Sequence, residues 1–156
     1  MRTKSLLGAA CCGVMMVVGG CRGGSDHLSA TQYAREVSDL CRRGNRAVAR
    51  IEIPPLSTER GAARAMAGVV VVQRDTIDGL RGVRPPESLA GTVQKWIALL
   101  DQGADELELM SIRLRAGMTG EAVDYGAKAT TLHDRARELV APLQVTSCRG
   151  PELPTV

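Results

Sequence analysis

Between residues 29 and 143, apolar side chains recur at intervals of three and four with charged residues between them. Proline pairs and a glycine interrupt the pattern three times. That spacing belongs to amphipathic helices. The first predicted segment, residues 29–51, puts Tyr33, Val37, Leu40, Cys41, Gly44, Val48 and Ile51 on one face, with Arg35, Arg42, Arg43, Arg46 and Arg50 mostly covering the other. Ser29 and Gln32 stand at capping-box spacing, and Pro54-Pro55 close the segment.

A second helix is expected from a cap at Ser57 or Thr58 to about residue 81. Its stripe is Ala62, Met66, Val69, Val70, Gln73, Ile77 and Leu80. Val69 to Val72 alone would suit a strand, but they fall inside a longer 3.6-residue pattern, so the helix is preferred. Pro85-Pro86 then end it, because a residue before proline is pushed out of helical geometry. The third segment runs from Glu87 or Ser88 to about residue 115, with Leu89, Val93, Trp96, Leu100, Leu107, Met110 and Leu114 inward. Gly103 would loosen its middle and Gly117 is a natural stop. The fourth has Thr119 as cap and Glu121 in its first turn. Tyr125, Ala129, Leu132, Ala136, Leu139, Val140 and Leu143 face inward as far as Pro142. Connections of a few residues between four amphipathic helices imply an all-α, up-down-up-down four-helix bundle.

Composition narrows the kind of core. Of 156 residues, 44% are hydrophobic, yet there is no Phe, one Trp and two Tyr. The interior must be built from aliphatic side chains, Met and Ala. The formal charge of +3 includes Arg2 and Lys4. Without those two, 18 basic residues face 17 acidic ones, which is no footprint for nucleic acid.

The first twenty residues do not belong to the bundle. Arg2 and Lys4 precede an uncharged apolar stretch, residues 6–18. Thirteen residues suit the apolar region of a signal peptide and fall short of the roughly 20 that a spanning helix needs. Val18-Gly19-Gly20-Cys21 resembles the lipobox of bacterial lipoproteins. The resemblance implies cleavage between Gly20 and Cys21, and a diacylglyceryl group on the Cys21 thiol. Two acyl chains, at about 0.8 kcal/mol per buried methylene, hold a protein firmly at a membrane. The alternative is an ordinary secretory signal that happens to end in Cys. The expected organisation is a lipoprotein signal peptide over 1–20, a flexible tether over 21–28 and the helical domain over 29–156. The extracytoplasmic face of the cell membrane is the expected location.

Five cysteines then reduce to a pair. Cys11 and Cys12 leave with the leader and Cys21 takes lipid, so Cys41 and Cys148 remain. In an exported chain such a pair is most simply a disulfide, tying a C-terminal tail to the first helix. Two free buried thiols, a redox pair or a metal site are the other readings. The last two lack a Cys-x-x-Cys and any ligand spacing with His27 or His133. With the first and fourth helices as antiparallel neighbours, an extended tail of residues 143–148 would span about 20 Å and reach Cys41.

The combination of Cys21, Tyr33 to Leu40-Cys41, Pro85-Pro86 and Cys148 resembles a group of small secreted helical lipoproteins of high-GC Gram-positive bacteria. Residues 143–147 depart from it, lacking the Leu-Gly expected before the last Cys. The group has no assigned activity, so the resemblance supplies no catalytic residues.

The remaining chemistry is weighed against plain structural roles. His133-Asp134 would serve as a general base or metal ligand, but His133 sits beside the inward Leu132 and is expected at a solvated boundary. Asp101, Asp105, Glu106 and Glu108 would make a cation site, but are expected as a hydrated face. Met66, Met110 and Met118 read as gap fillers. No phosphate loop and no Gly-x-Ser-x-Gly elbow occurs. No catalytic, cofactor or metal residues are assigned. The expected function is a non-enzymatic binding module at the cell surface, with a protein or cell-envelope partner. The alternative is a bundle that holds a small ligand or metal for a transporter, with Trp96 as reporter if it faced the cavity.

Overall fold

The computed structural model describes residues 28–52 and 59–149. The expected leader and lipobox with Cys21, His27, Pro54-Pro55 and the expected caps Ser57 and Thr58 lie outside the described residues. The helices are α1 (Ala30–Val48), α2 (Glu59–Gly82), α3 (Ala90–Arg115) and α4 (Thr119–Val140), running up, down, up, down with no strand among the described residues. A short 3-10 turn, Glu87–Leu89, leads into α3, and two more, Ala141–Leu143 and Thr146–Arg149, form the tail.

Local chemistry sets the helix ends. Ser29 and Gln32 form the capping box, with the Gln32 backbone N–H donating to Ser29 Oγ and the Ser29 N–H donating to Gln32 Oε1. At the other end of the bundle α3 stops at Gly117, whose φ of 74° is left-handed. The Met118 N–H reaches Arg113 O and the Gly117 N–H reaches Leu114 O, a Schellman arrangement that satisfies two otherwise orphaned carbonyls. The reversal is so tight that α4 begins at once. Met118 takes the cap position, and Thr119, expected as cap, instead donates its hydroxyl to Glu59 Oε1 on α2 at 2.7 Å.

Three antiparallel seams join the helices. Between α1 and α2 the seam is close: a Cβ on Gly44 would lie 2.4 Å from Thr76 Oγ1, and one on Gly79 would lie 2.8 Å from Leu40 Cδ2. Between α2 and α3, the buried Ser111 hydroxyl donates to Ala63 O at 3.0 Å. Between α3 and α4, Gly103 faces the ring of His133, and Gly126 faces Met110 Sδ. The valine run is helical: Val69 and Val70 are buried and Val71 is exposed.

The fourth side closes differently from the expected α1–α4 pairing. The tail joins these two helices, since its last turn packs on both. Nor is the tail extended. It coils because Leu143 and Val145 both enter the core, with Gln144 between them in a left-handed conformation at φ 55°. Asn45 Nδ2 donates to Ser147 O at 2.8 Å, and Cys41 and Cys148 are joined by a disulfide with their Cα atoms 5.1 Å apart. The bundle and the disulfide are thus as the sequence led us to expect.

Candidate functional site

The core changes character halfway along the bundle. At the end where the chain enters at Leu28, Tyr33, Trp96, Leu80 and Val140 pack with the disulfide and the tail. Toward the opposite end the buried residues are small: Ala62, Ala63 and Ala122 around Leu114, then Ala129 with Val69, Val70 and Leu107. The first end is called the entry half here and the second the distal half.

A polar layer separates the two. His133 of α4 rests against Gly103 of α3, where a Cβ would come within 3.0 Å of the ring. Its Nδ1 lies 2.8 Å from Ala129 O and its Nε2 lies 2.8 Å from Gln73 Nε2 on α2. A carbonyl only accepts, so Nδ1 carries the proton and donates; Nε2 is then an acceptor for the Gln73 amide. Burial, the largest influence, holds the His133 pKa below its ordinary value; the Ala129 bond opposes it. His133 is therefore a half-buried, neutral link between three helices rather than the solvated boundary residue expected. The glycine read as a weak point of α3 is the ring's seat.

The acidic face of α3 is engaged by arginines of α2. Arg74 of α2 donates to Asp105 at 2.7 Å and to Glu108 at 2.8 Å, and Arg81 of α2 bridges Asp78 and Asp101. These acids form the exposed face that the sequence suggested, with Asp105 62% and Glu108 53% exposed, and within it they pair with arginines of α2. No group of three metal-ligating side chains occurs among the described residues. Glu106 points elsewhere on the helix, and its Oε2 is buried without a hydrogen-bond partner. It lines a shallow groove of about 370 Å³ along the α3–α4 seam, together with Gln102, Asp105, Lys128, Thr131 and Leu132.

Two aromatic expectations change. Tyr125, read as inward, is half-buried, with Lys128 Nζ 4.7 Å from its ring centroid and the Arg113 guanidinium 5.9 Å away. Trp96 is 1% exposed in the entry-half core and does not line the groove, so its emission would not report a ligand there. Trp96 Nε1 and the Tyr33 hydroxyl are buried without hydrogen-bond partners, and burial pushes the Tyr33 phenol up to about 12.

Among the described residues, the exposed large hydrophobics are Val71, Leu109, Ile112, Met118 and Val123. All five lie beyond the His133 layer, in the distal half. Periodicity puts single apolar residues on outer faces without showing that they share one end. That becomes visible only when the helices are placed in register. Met110 and Met66 fill gaps beside the distal core, as expected, whereas Met118 is exposed at the tip. No helix among the described residues is long and apolar enough to cross a membrane.

No protein-family model, curated protein or solved structure matches this chain.

Proposed function

We propose that the chain is an extracytoplasmic lipoprotein, held to the cell membrane by lipid on Cys21, whose bundle acts as a non-enzymatic binding module for a protein or cell-envelope partner. One observation carries this reading: among the described residues, the exposed large hydrophobics all lie in the half of the bundle away from the chain's point of entry, from Val71 near its middle to Met118 at its tip. The seven residue steps from Cys21 to Leu28 reach at most about 24 Å, so the lipid would hold the entry half close to the bilayer. The 26 residues of α3, at 1.5 Å each, carry the distal end about 39 Å further. Apolar exposure on that half suits docking on a partner away from the membrane. The disulfide agrees with a compartment outside the cytosol.

The α3–α4 groove favours the second reading, a small-ligand carrier serving a transporter, since 370 Å³ is the size of small-molecule sites. Its shallowness and the absence of clustered metal-ligating groups among the described residues weigh against it.

Intact mass of the native chain extracted from membranes tests the anchor. A chain that begins at Cys21 and carries lipid is expected; a lipid-free chain, or one retaining residues 1–20, overturns it. A photo-crosslinker at Val123 on intact cells should capture a partner that one at Lys95, exposed on the entry half, does not. Equal capture, or none, overturns the docking end.

A further inference from the structure

The charges of the bundle are distributed as unevenly as its apolar exposure. In the entry half and at mid-height, arginines meet acids. Arg42 pairs with Asp39, Arg137 with Asp134, Arg81 with Asp78 and Asp101, and Arg74 with Asp105 and Glu108. In the distal half Arg113 pairs with Glu121 at 3.3 Å. Arg60, Arg64 and Arg115, by contrast, are exposed and make no ion pair among the described residues. Arg64 Nε reaches Arg60 O of its own helix at 3.4 Å. Glu59 turns to α4, where it accepts the Thr119 hydroxyl. Residues 53–58, which connect α1 to α2 at this end, contain no Asp or Glu.

These three arginines share an outer face with part of the exposed apolar surface. The Arg74 bridge to Asp105 and Glu108 fixes α2 against α3. Val71 precedes Arg74 by three residues and Ile112 follows Glu108 by four. Each therefore lies about one turn further toward the distal end, on the outward row of its helix. Leu109 stands on the same side of α3, three residues before Ile112. Val71 is 60% exposed, Ile112 47% and Leu109 36%. The rows then continue as Arg64 and Arg60 on α2 and as Arg115 on α3. From Val71 to Arg60 the row is about 17 Å long, three turns of helix.

We propose that this α2–α3 face docks an acidic segment of another protein. Apolar side chains of the segment rest on Val71, Leu109 and Ile112, and its carboxylates meet Arg60, Arg64 and Arg115. The inference rests on the reading of the distal half as a docking surface and supplies the chemistry of the partner. Guanidinium forks match carboxylates in a bidentate way, and apolar positions bordered by charge are the makeup of a protein interface. A second copy of this chain fits less well, because the carboxylates on its own α2–α3 face are already held by Arg74 and Arg81. An anionic bilayer also fits less well. A flat surface of one sign would press on Asp105 and Glu108 as well as on the arginines, whereas a short segment meets the distal part alone.

The test uses the full chain in uncharged detergent and follows the anisotropy of a fluorescein-labelled peptide. The peptide is about 14 residues of Glu with Leu at helical spacing. It should bind, and added NaCl should weaken it, because exposed charges are screened. The combined variant Arg60→Ser, Arg64→Ser and Arg115→Ser should bind about tenfold more weakly, the contribution of three exposed ion pairs together. Ile112→Ser should weaken binding as well. Replacing Arg35 and Arg135 by Ser, which removes two exposed charges of the entry half, should leave it unchanged. A Lys–Leu peptide of the same length should not bind, and circular dichroism checks that each variant is folded. No binding, equal binding of the Lys–Leu peptide, or unweakened binding by the combined variant would overturn the proposal. Arginine-dependent binding to phosphatidylglycerol vesicles, or arginine-dependent dimers in sedimentation, without binding of the peptide would assign the face to a bilayer or to a second copy instead. If the peptide fails while Val123 still captures a partner on cells, the acidic chemistry alone is overturned. If the peptide binds and Val123 captures nothing, the docking reading falls and takes the cellular partner with it.

Discussion

Replacing Cys41 and Cys148 together by Ala tests what holds the entry half. The disulfide closes a loop across a sequence separation of 107 residues. In the chain-entropy treatment, a loop of that length restricts the unfolded chain by about 5 kcal/mol at 25 °C. The folded state should change little. Leu143 and Val145 are buried at 3% and 0% exposure and Asn45 holds Ser147 O; a buried aliphatic side chain contributes about 1.5–3 kcal/mol. The tail therefore stays docked without its covalent tie, and the loss acts on the unfolded ensemble. With a urea slope of about 1.5–2 kcal/mol/M, the midpoint at pH 7.5 should fall by about 2.5–3.3 M. The native dichroism and Trp96 emission should stay as they were. Since a domain of this size has about 5–15 kcal/mol in total, the variant folds but is marginal. A midpoint change below about 0.5 M would refute the loop-entropy reasoning. A changed native Trp96 spectrum would show that the bond shapes the folded core itself.

Three glycines make smaller predictions with different signs. Gly44→Ala should destabilise by about 1–2 kcal/mol in thermal melts. The new Cβ collides with Thr76, whose hydroxyl is already bonded to Val72 O at 2.8 Å, and overpacking of about 1–3 kcal/mol exceeds the gain of about 1 kcal/mol in helix propensity. Gly91→Ala meets nothing within 4 Å and should stabilise by about 0.4–1 kcal/mol; the reverse order of these two would disprove the close α1–α2 seam. Gly117→Ala forces a side chain into φ 74° and should lower stability by about 1–2 kcal/mol, so an unchanged melting temperature would count against the Schellman turn.

Much of this architecture is local, and local features are written in the chain itself. The three-and-four spacing of Tyr33, Val37 and Cys41, or of Val93, Trp96 and Leu107, identifies a helix and its buried face whatever lies opposite. The Ser29–Gln32 cap and the Gly117 stop work within one turn, so they too could be read directly. Cysteine pairing was accessible because an expected leader with Cys11 and Cys12, and an expected lipid on Cys21, would leave only Cys41 and Cys148. What periodicity lacks is the rotation and height of one helix against the next. Arg74 is 31 residues from Asp105, and only the packing of α2 on α3 shows that this exposed row of acids is paired with arginines. Gly103 reads as a flaw until the His133 ring, on another helix, is found resting on it. Gln73 and His133 are 60 residues apart, and nothing in either local pattern announces their hydrogen bond. The coil of the tail follows from two buried side chains, Leu143 and Val145, that pull an otherwise extended segment inward. Tertiary structure decided these points because each depends on which atoms face one another across a seam, and that is set by the packing of whole helices rather than by the spacing along any one of them.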